Sequence, residues 1–149
     1  MCNMTIFPMI QPQIAEARQL PLCRDVLWDA AKGIPVFQAG EPVIVQGAQA
    51  VASWVWRALR VCRYRHELYT WDYGSELEGL IGQAYTAALK QAEARRYVEE
   101  ALAVNPYIQA VRQIQTEFDE EGRLLIRGAV DTVYGPIEIG GDIDASAAG

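Results

Sequence analysis

The chain has no apolar run approaching the roughly 18 residues that a membrane span needs, so no spanning helix is expected. It has a single histidine and three cysteines, Cys2, Cys23 and Cys62, with no metal-ligand spacing among them. No metal site and no cofactor are expected, and the thiols are expected to be reduced and partly buried, which fits synthesis in the cytosol. A basic balance is missing too. The formal net charge is −6, whereas binding to phosphate backbones needs a net basic surface, so nucleic acid is not expected as a partner. Phosphate-cradling glycine loops are absent, because Gly79 and Gly82 do not follow a strand in the manner required. Residues 1–20 carry prolines and glutamines in place of a continuous apolar stretch, so no secretory signal is expected. There is no linker and no internal repeat.

What remains is a chain of 149 residues, 51% hydrophobic and 21% charged, which suits one domain with its own core. Residues 1–20, with Pro8 and Pro12, read as an extended arm lying on the domain or on a neighbour. Leu22 to Trp28 is a strand candidate, Asp29 to Gly33 a turn, Val36-Phe37 a second strand, Gly40-Glu41-Pro42 a turn and Val43 to Val45 a third strand. Two consecutive hairpins are the simplest account. A helix is expected from Gly47 to about Arg63, burying Val51, Trp54, Val55, Ala58, Leu59 and Cys62. Arg57, Arg60 and Arg63 form a basic ridge on its opposite side.

Ser75-Glu-Leu-Glu78 matches a capping box and predicts a short helix from Glu76 to Ile81, ended by Gly82. Thr86 caps a longer helix to about Ala103, with Leu89, Ala94, Val98, Ala101 and Leu102 roughly on one face, and Asn105-Pro106 stops it. Alternation then marks a strand over 108–118, with Arg112 as the exception, a turn at 119–122 and a returning strand over 124–132. A last short strand is expected at Ile137–Ile139, and the small, acidic tail from Gly140 is expected to be disordered. The predicted class is α+β: a small single domain, two main helices packed on antiparallel β-hairpins.

The densest chemistry lies between Tyr64 and Gly82, where tyrosines, Trp71 and His66 crowd a run broken by Gly74. Glu67, Asp72 and Glu76 beside Trp71 and Tyr73 offer a conceivable carboxylate pair for glycoside hydrolysis, which needs two acids about 5–9 Å apart. Against this, Glu76 and Glu78 fit the acidic first turn of a capped helix. His66 lies one turn after Cys62 but lacks a recognisable third partner. The aromatic residues either wall the core or form a docking surface. Trp56 falls off the main stripe of its helix, close to the arginine ridge, and Trp71 and Tyr73 cannot both point inward together with their neighbours in an extended segment. Exposed Trp, Tyr and Arg side chains are favoured at protein interfaces. The candidate interface is Trp56, Arg60, Arg63, Trp71, Asp72, Tyr73 and Gly74, with a sheet edge at Ile137 and Ile139, and a core corner stands beside it as the other reading. Gly74 is expected in a backbone conformation that other residues avoid.

Several segments carry a family resemblance: Arg63-Tyr64-Arg65, Tyr69-Thr-Trp-Asp-Tyr-Gly74, Ser75-Glu76-Leu77, Leu80-Ile81-Gly82, Val104-Asn105-Pro106-Tyr107-Ile108 and Asp131-Thr132-Val133-Tyr134-Gly135. In order, over about residues 21–139, the chain resembles the baseplate wedge proteins of contractile-tailed phages. This is the lysozyme-like, gene-25-type family, and the subgroup from phage-like elements of Gram-positive bacteria is the most similar. The resemblance implies a structural subunit of a phage or phage-like tail baseplate, present in multiple copies in a symmetric assembly. Its implied partners are other wedge proteins and the tail sheath subunit, and its implied location is the virion tail, assembled in the bacterial cytoplasm. In that family an Arg-Pro or Glu-Pro-Arg element usually precedes the shared aromatic-Gly-Ser. Thr70-Trp71-Asp72 stands there in this chain, so the family's clamp on the neighbouring subunit does not carry over residue by residue.

Overall fold

Very short strands build the first lobe. In the computed structural model, which describes residues 19–61, 63 and 73–143, these are β1 (Arg24–Val26), β2 (Trp28–Asp29), β3 (Ile34–Pro35), β4 (Phe37–Gln38), β5 (Glu41–Pro42) and β6 (Ile44–Gln46). β2 pairs with β3 and β4 with β5, giving the two expected hairpins, and β1 pairs with β6 to close the lobe. At the centre the Leu27 amide donates to the Val43 carbonyl (2.7 Å), the Val43 amide to Val36 (3.0 Å) and the Val36 amide to Leu27 (2.9 Å). Three backbone segments thus meet in a closed ring of hydrogen bonds. The first hairpin tip is set by the Asp29 carboxylate, which accepts from the amides of Ala31 and Lys32 at 3.0 Å each.

Helix α1 (Ala48–Arg60) follows. It ends short of the expected Arg63 because Val61 turns to extended backbone. The Val61 carbonyl then accepts from the Ser75 amide (2.8 Å), and the Arg63 amide donates to the Ser75 carbonyl (3.0 Å). On one side α1 packs against β1, β2 and β6; on the other it meets the 3-10 helix Leu77–Leu80, helix α2 (Ala87–Ala103) and strand β9 (Gly135–Ile143). A helix held between two layers needs two apolar stripes. Val51, Val55, Ala58 and Leu59 are buried as expected, and so are Ala50 and Trp56. Full burial of a side chain such as Leu59 contributes about 2–3 kcal/mol.

Ser75 corrects the expectation of a capping box. Its hydroxyl donates 2.7 Å to the carbonyl of Leu59 and the residue is buried, so it ties the loop to the end of α1 and caps no helix. Helix α2 matches its prediction: the Thr86 hydroxyl accepts from the Leu89 amide at 3.3 Å, and Ala94, Val98, Ala101 and Leu102 are buried. Leu89 itself, expected on the buried face, is exposed in the first turn.

The C-terminal sheet contains β7 (Ile108–Phe118), β8 (Leu124–Thr132) and β9 in that order, all antiparallel. The β7–β8 hairpin is the expected one. Its register shifts between Arg112 and Gln115, where Gln113 adopts φ +52°, and this bulge explains why Arg112 interrupted the alternation. β9 corrects the expected short strand and, over residues 140–143, the expected disordered tail, whose remaining residues 144–149 lie outside the described residues. It continues past Gly140 to Ile143, which pairs with Leu124. The small residues that read as a tail are what the contact needs: a Cβ on Gly141 would sit 2.7 Å from the Trp56 ring. Overall, nine strands and two α-helices among the described residues make an α+β domain, as predicted.

Candidate functional site

The arginines of α1 are not a free ridge. Residues three apart on an α-helix drift by about 60° per step, so such a row winds round the helix and meets different neighbours. Arg57 forms a bidentate pair with Asp25 (2.9 and 2.6 Å), and its Nε donates to the Tyr73 hydroxyl at 3.1 Å. Burial works against the Arg57 charge, but the bonds to Asp25 and Tyr73 outweigh it and push the pKa up. Arg60 donates 2.7 Å to the Ala30 carbonyl in the first hairpin tip. Arg63 reaches the Gly74 carbonyl at 3.3 Å. Arg57 and Arg60 therefore fasten β1, the Tyr73 loop and the first hairpin tip to the helix, while Arg63, beyond its end, holds the Gly74 carbonyl.

Beside this row lies a groove of about 370 Å³ between β1, α1, the Tyr73 loop and the turn after α2. Trp54 and Tyr73 meet edge to face in its wall, with ring centroids 5.9 Å apart at 73°. Cys23, Asp25, Val104 and Tyr107 also line it. Burial, and then the nearby Asp25 charge, raise the Cys23 pKa, so this thiol stays protonated. The Tyr107 hydroxyl donates 2.7 Å to the Pro21 carbonyl, and the Tyr134 hydroxyl accepts from the Cys23 amide at 2.8 Å. The two rings stack at 6.1 Å. Together they fix where the chain enters the domain. Burial raises the Tyr107 pKa, with Cys23 and Tyr134 adding to it.

The predicted interface residues fall into three groups. Tyr73 and Gly74 come together with Arg63 and, through Arg57, with the groove. Gly74 has φ +104°, the disfavoured conformation expected, and a Cβ there would lie 2.7 Å from the Val61 carbonyl oxygen. Trp56 is a correction: it is 6% exposed and serves as the platform for β9. Ile139 is likewise buried, and Ile137 packs on the core. Their side chains therefore face inward, although β9 is the edge strand and no described strand pairs with its outer side. Trp71, Asp72, Glu67 and His66 lie outside the described residues, so of the three candidate carboxylates only Glu76 is placed, just before the 3-10 helix. The residues that sequence reasoning missed are Asp25, Arg57, Trp54 and Tyr107. The drift of the arginine row was the available signal for Arg57. Nothing local marked the others.

A family model of the contractile injection system sheath initiator matches residues 24–135. The chain belongs to that family. The match runs from the first residue of β1 to the first of β9, so it takes in both helices, the arginine row and all of the groove's lining except Cys23. The chain is also 31% identical, over 98 residues, to the phage-like element PBSX protein XkdS of Bacillus subtilis (strain 168). That alignment covers 64% of the chain and 68% of the relative. The protein is thus a structural component of a contractile, phage-type tail, as the resemblance to tail proteins implied.

Proposed function

We propose that this protein is a non-enzymatic wedge subunit of a contractile-tail baseplate, of the lysozyme-like kind, present in several symmetric copies. Its aromatic corner, Trp71 to Gly74, together with Arg60 and Arg63, docks to neighbouring wedge proteins, and its sheet starts the sheath. The observation that carries the reading is the edge of β9. Nine residues long, with Ile137 and Ile139 turned into the core, this strand offers backbone amides and carbonyls to an added strand. Strand addition draws affinity from such main-chain bonds, and within the strand only Pro136, Glu138 and Asp142 are of the residue types that protect an edge. Baseplate assembly in the host cytoplasm and location in the virion tail follow from the same reading.

The test is complementation of a tail-producing strain that lacks this gene. Trp71→Ala and Tyr73→Ala should each give a folded protein by circular dichroism but no sheathed tails by electron microscopy. Sheathed tails at normal yield with both variants would remove the docking claim. Sugar release from peptidoglycan by the purified chain, lost on Glu76→Gln or Asp72→Asn, would replace the structural reading with a glycosidase.

A further inference from the structure

Of the glycines inside the C-terminal sheet, Gly128 and Gly141 have internal reasons and Gly140 has none. A Cβ on Gly128 would strike the Ile114 side chain, and one on Gly141 the Trp56 ring. A Cβ on Gly140 would meet nothing within 4 Å, and its φ lies outside the left-handed region. Glycine inside a strand weakens it and often marks a place where another chain approaches closely.

The room beside Gly140 is a second groove, of about 400 Å³, lined by Gln113, Gln115, Arg127, Ala129 and Glu138. It lies on the face of the sheet turned away from Ile137, Ile139 and the core. The side chains of Gln113, Gln115, Arg127 and Glu138 make no hydrogen bond or ion pair with another described residue. The groove also reaches the free edge of β9. Thr132 and Gly135 flank the two-residue turn Val133-Tyr134 and bond across it, which turns the backbone groups of Ile137, Ile139 and Gly141 towards β8. The amides and carbonyls of Glu138 and Gly140 therefore point out of the edge.

A strand added there sets one residue opposite Gly140 and another, two positions away, opposite Glu138, both over the groove. An aromatic ring suits the first place, because cross-strand rings cover edge glycines and the Arg127 guanidinium can stack on the ring face. Opposite Glu138 a Lys or Arg is favoured. A second copy is a poor match: antiparallel pairing about Gly140 would put residues 138 and 142, both acidic, opposite each other.

We infer that the groove at Gly140 is a socket that selects the added strand, a strand of another tail protein with an aromatic residue two positions from a Lys or Arg. The inference rests on the strand-addition reading of β9 and adds the chemistry of the strand.

The test is complementation with full-length variants, scored by thermal midpoint and by sheathed tails in electron micrographs. Gly140→Leu and Gly140→Trp fill the socket from the protein's own strand, so both should keep the wild-type midpoint and yield no sheathed tails. Glu138→Pro removes an edge amide but no ladder bond and probes strand addition alone. Tails lost with Glu138→Pro but normal with both Gly140 variants would overturn the socket and leave the edge reading standing. Normal tails with all three would remove both. A lower midpoint for both Gly140 variants would show that the glycine serves the fold, and would overturn the inference. Glu138→Lys should reduce tails more than Glu138→Gln; equal yields would remove the basic residue from the strand. A dimer of the purified protein, abolished by Gly140→Trp, would put a second copy in the socket and overturn the foreign strand.

Discussion

The two β regions of this molecule are held by different forces. In the C-terminal sheet, β7 to β9 run for nine to eleven residues each, and Leu124, Ile126, Val130 and Ile139 pack beneath α1 and α2. Ladder bonds and apolar burial suffice there. The N-terminal lobe has strands of two or three residues and leaves Ile34, Phe37 and Ile44 exposed. It is fastened to α1 by polar reach: Arg57 to Asp25, Arg60 to Ala30, and the Ser53 hydroxyl, which accepts from the Trp28 amide at 3.2 Å. The lobe adds Cys23 and Val45 to the core, with Leu27, Trp28 and Ala30 packed against it, and where short strands bury so little a few well-placed polar side chains add to the joining.

That contrast can be broken from either side. The largest effect is expected in the sheet: Ile126→Ala should cost about 2–5 kcal/mol, because Ile126 is fully buried and its site cannot collapse freely. Urea unfolding measures it, and a loss under 1 kcal/mol would show that the sheet does not depend on this core. In the lobe, Arg57 and Asp25 should show a coupling of about 1–3 kcal/mol in a double-mutant cycle, since the pair is bidentate and only partly exposed. Independent effects of the two substitutions would mean that the lobe is held by something else. Gly74→Ala, at the seam between α1 and the aromatic corner, should cost roughly 1–3 kcal/mol through backbone strain and the close Val61 carbonyl. An unchanged thermal midpoint would deny that strain.

The smallest effect concerns acid. Burial tends to raise the Asp119 pKa, but the backbone and side-chain bonds from Arg123 and its charge outweigh this and lower it. A lowered native pKa means a contribution to stability that is present above the unfolded carboxylate value, about 3.9, and is lost as pH falls through the native value. Asp119→Asn should therefore flatten the fall in stability between roughly pH 2 and 5. Parallel curves for wild type and variant would show that Asp119 makes no such contribution.

Periodicity and caps made much of the fold legible. Thr86 and Asn105-Pro106 bracketed α2, and alternation plus an acidic turn located the β7–β8 hairpin. The turn residues Asp29–Gly33 and Gly40–Pro42 marked both lobe hairpins. The misses share one cause, which is contact between residues distant in sequence. Ser75 spends its hydroxyl on Leu59, sixteen residues back, so a local capping signature failed. Trp56 looked outward because Gly141, which covers it, belonged to a segment read as tail; the two errors are one contact seen from its two ends. The groove was illegible for the same reason: Asp25, Trp54, Tyr73 and Tyr107 meet only after the chain has folded.

The hydrogen-bonded ring at Leu27, Val36 and Val43 has a consequence for how this lobe can change. Each of the three residues gives one amide and one carbonyl to the circuit, so sliding any one segment by a single position breaks two of the three bonds together. Ordinary hairpins pass slippage along their length; this hub does not. The tips around Ala31 and Ala39 lie outside it and can lengthen, shorten or swap residues while the hub stays in register. The lobe is a fixed bearing that carries two interchangeable fingers.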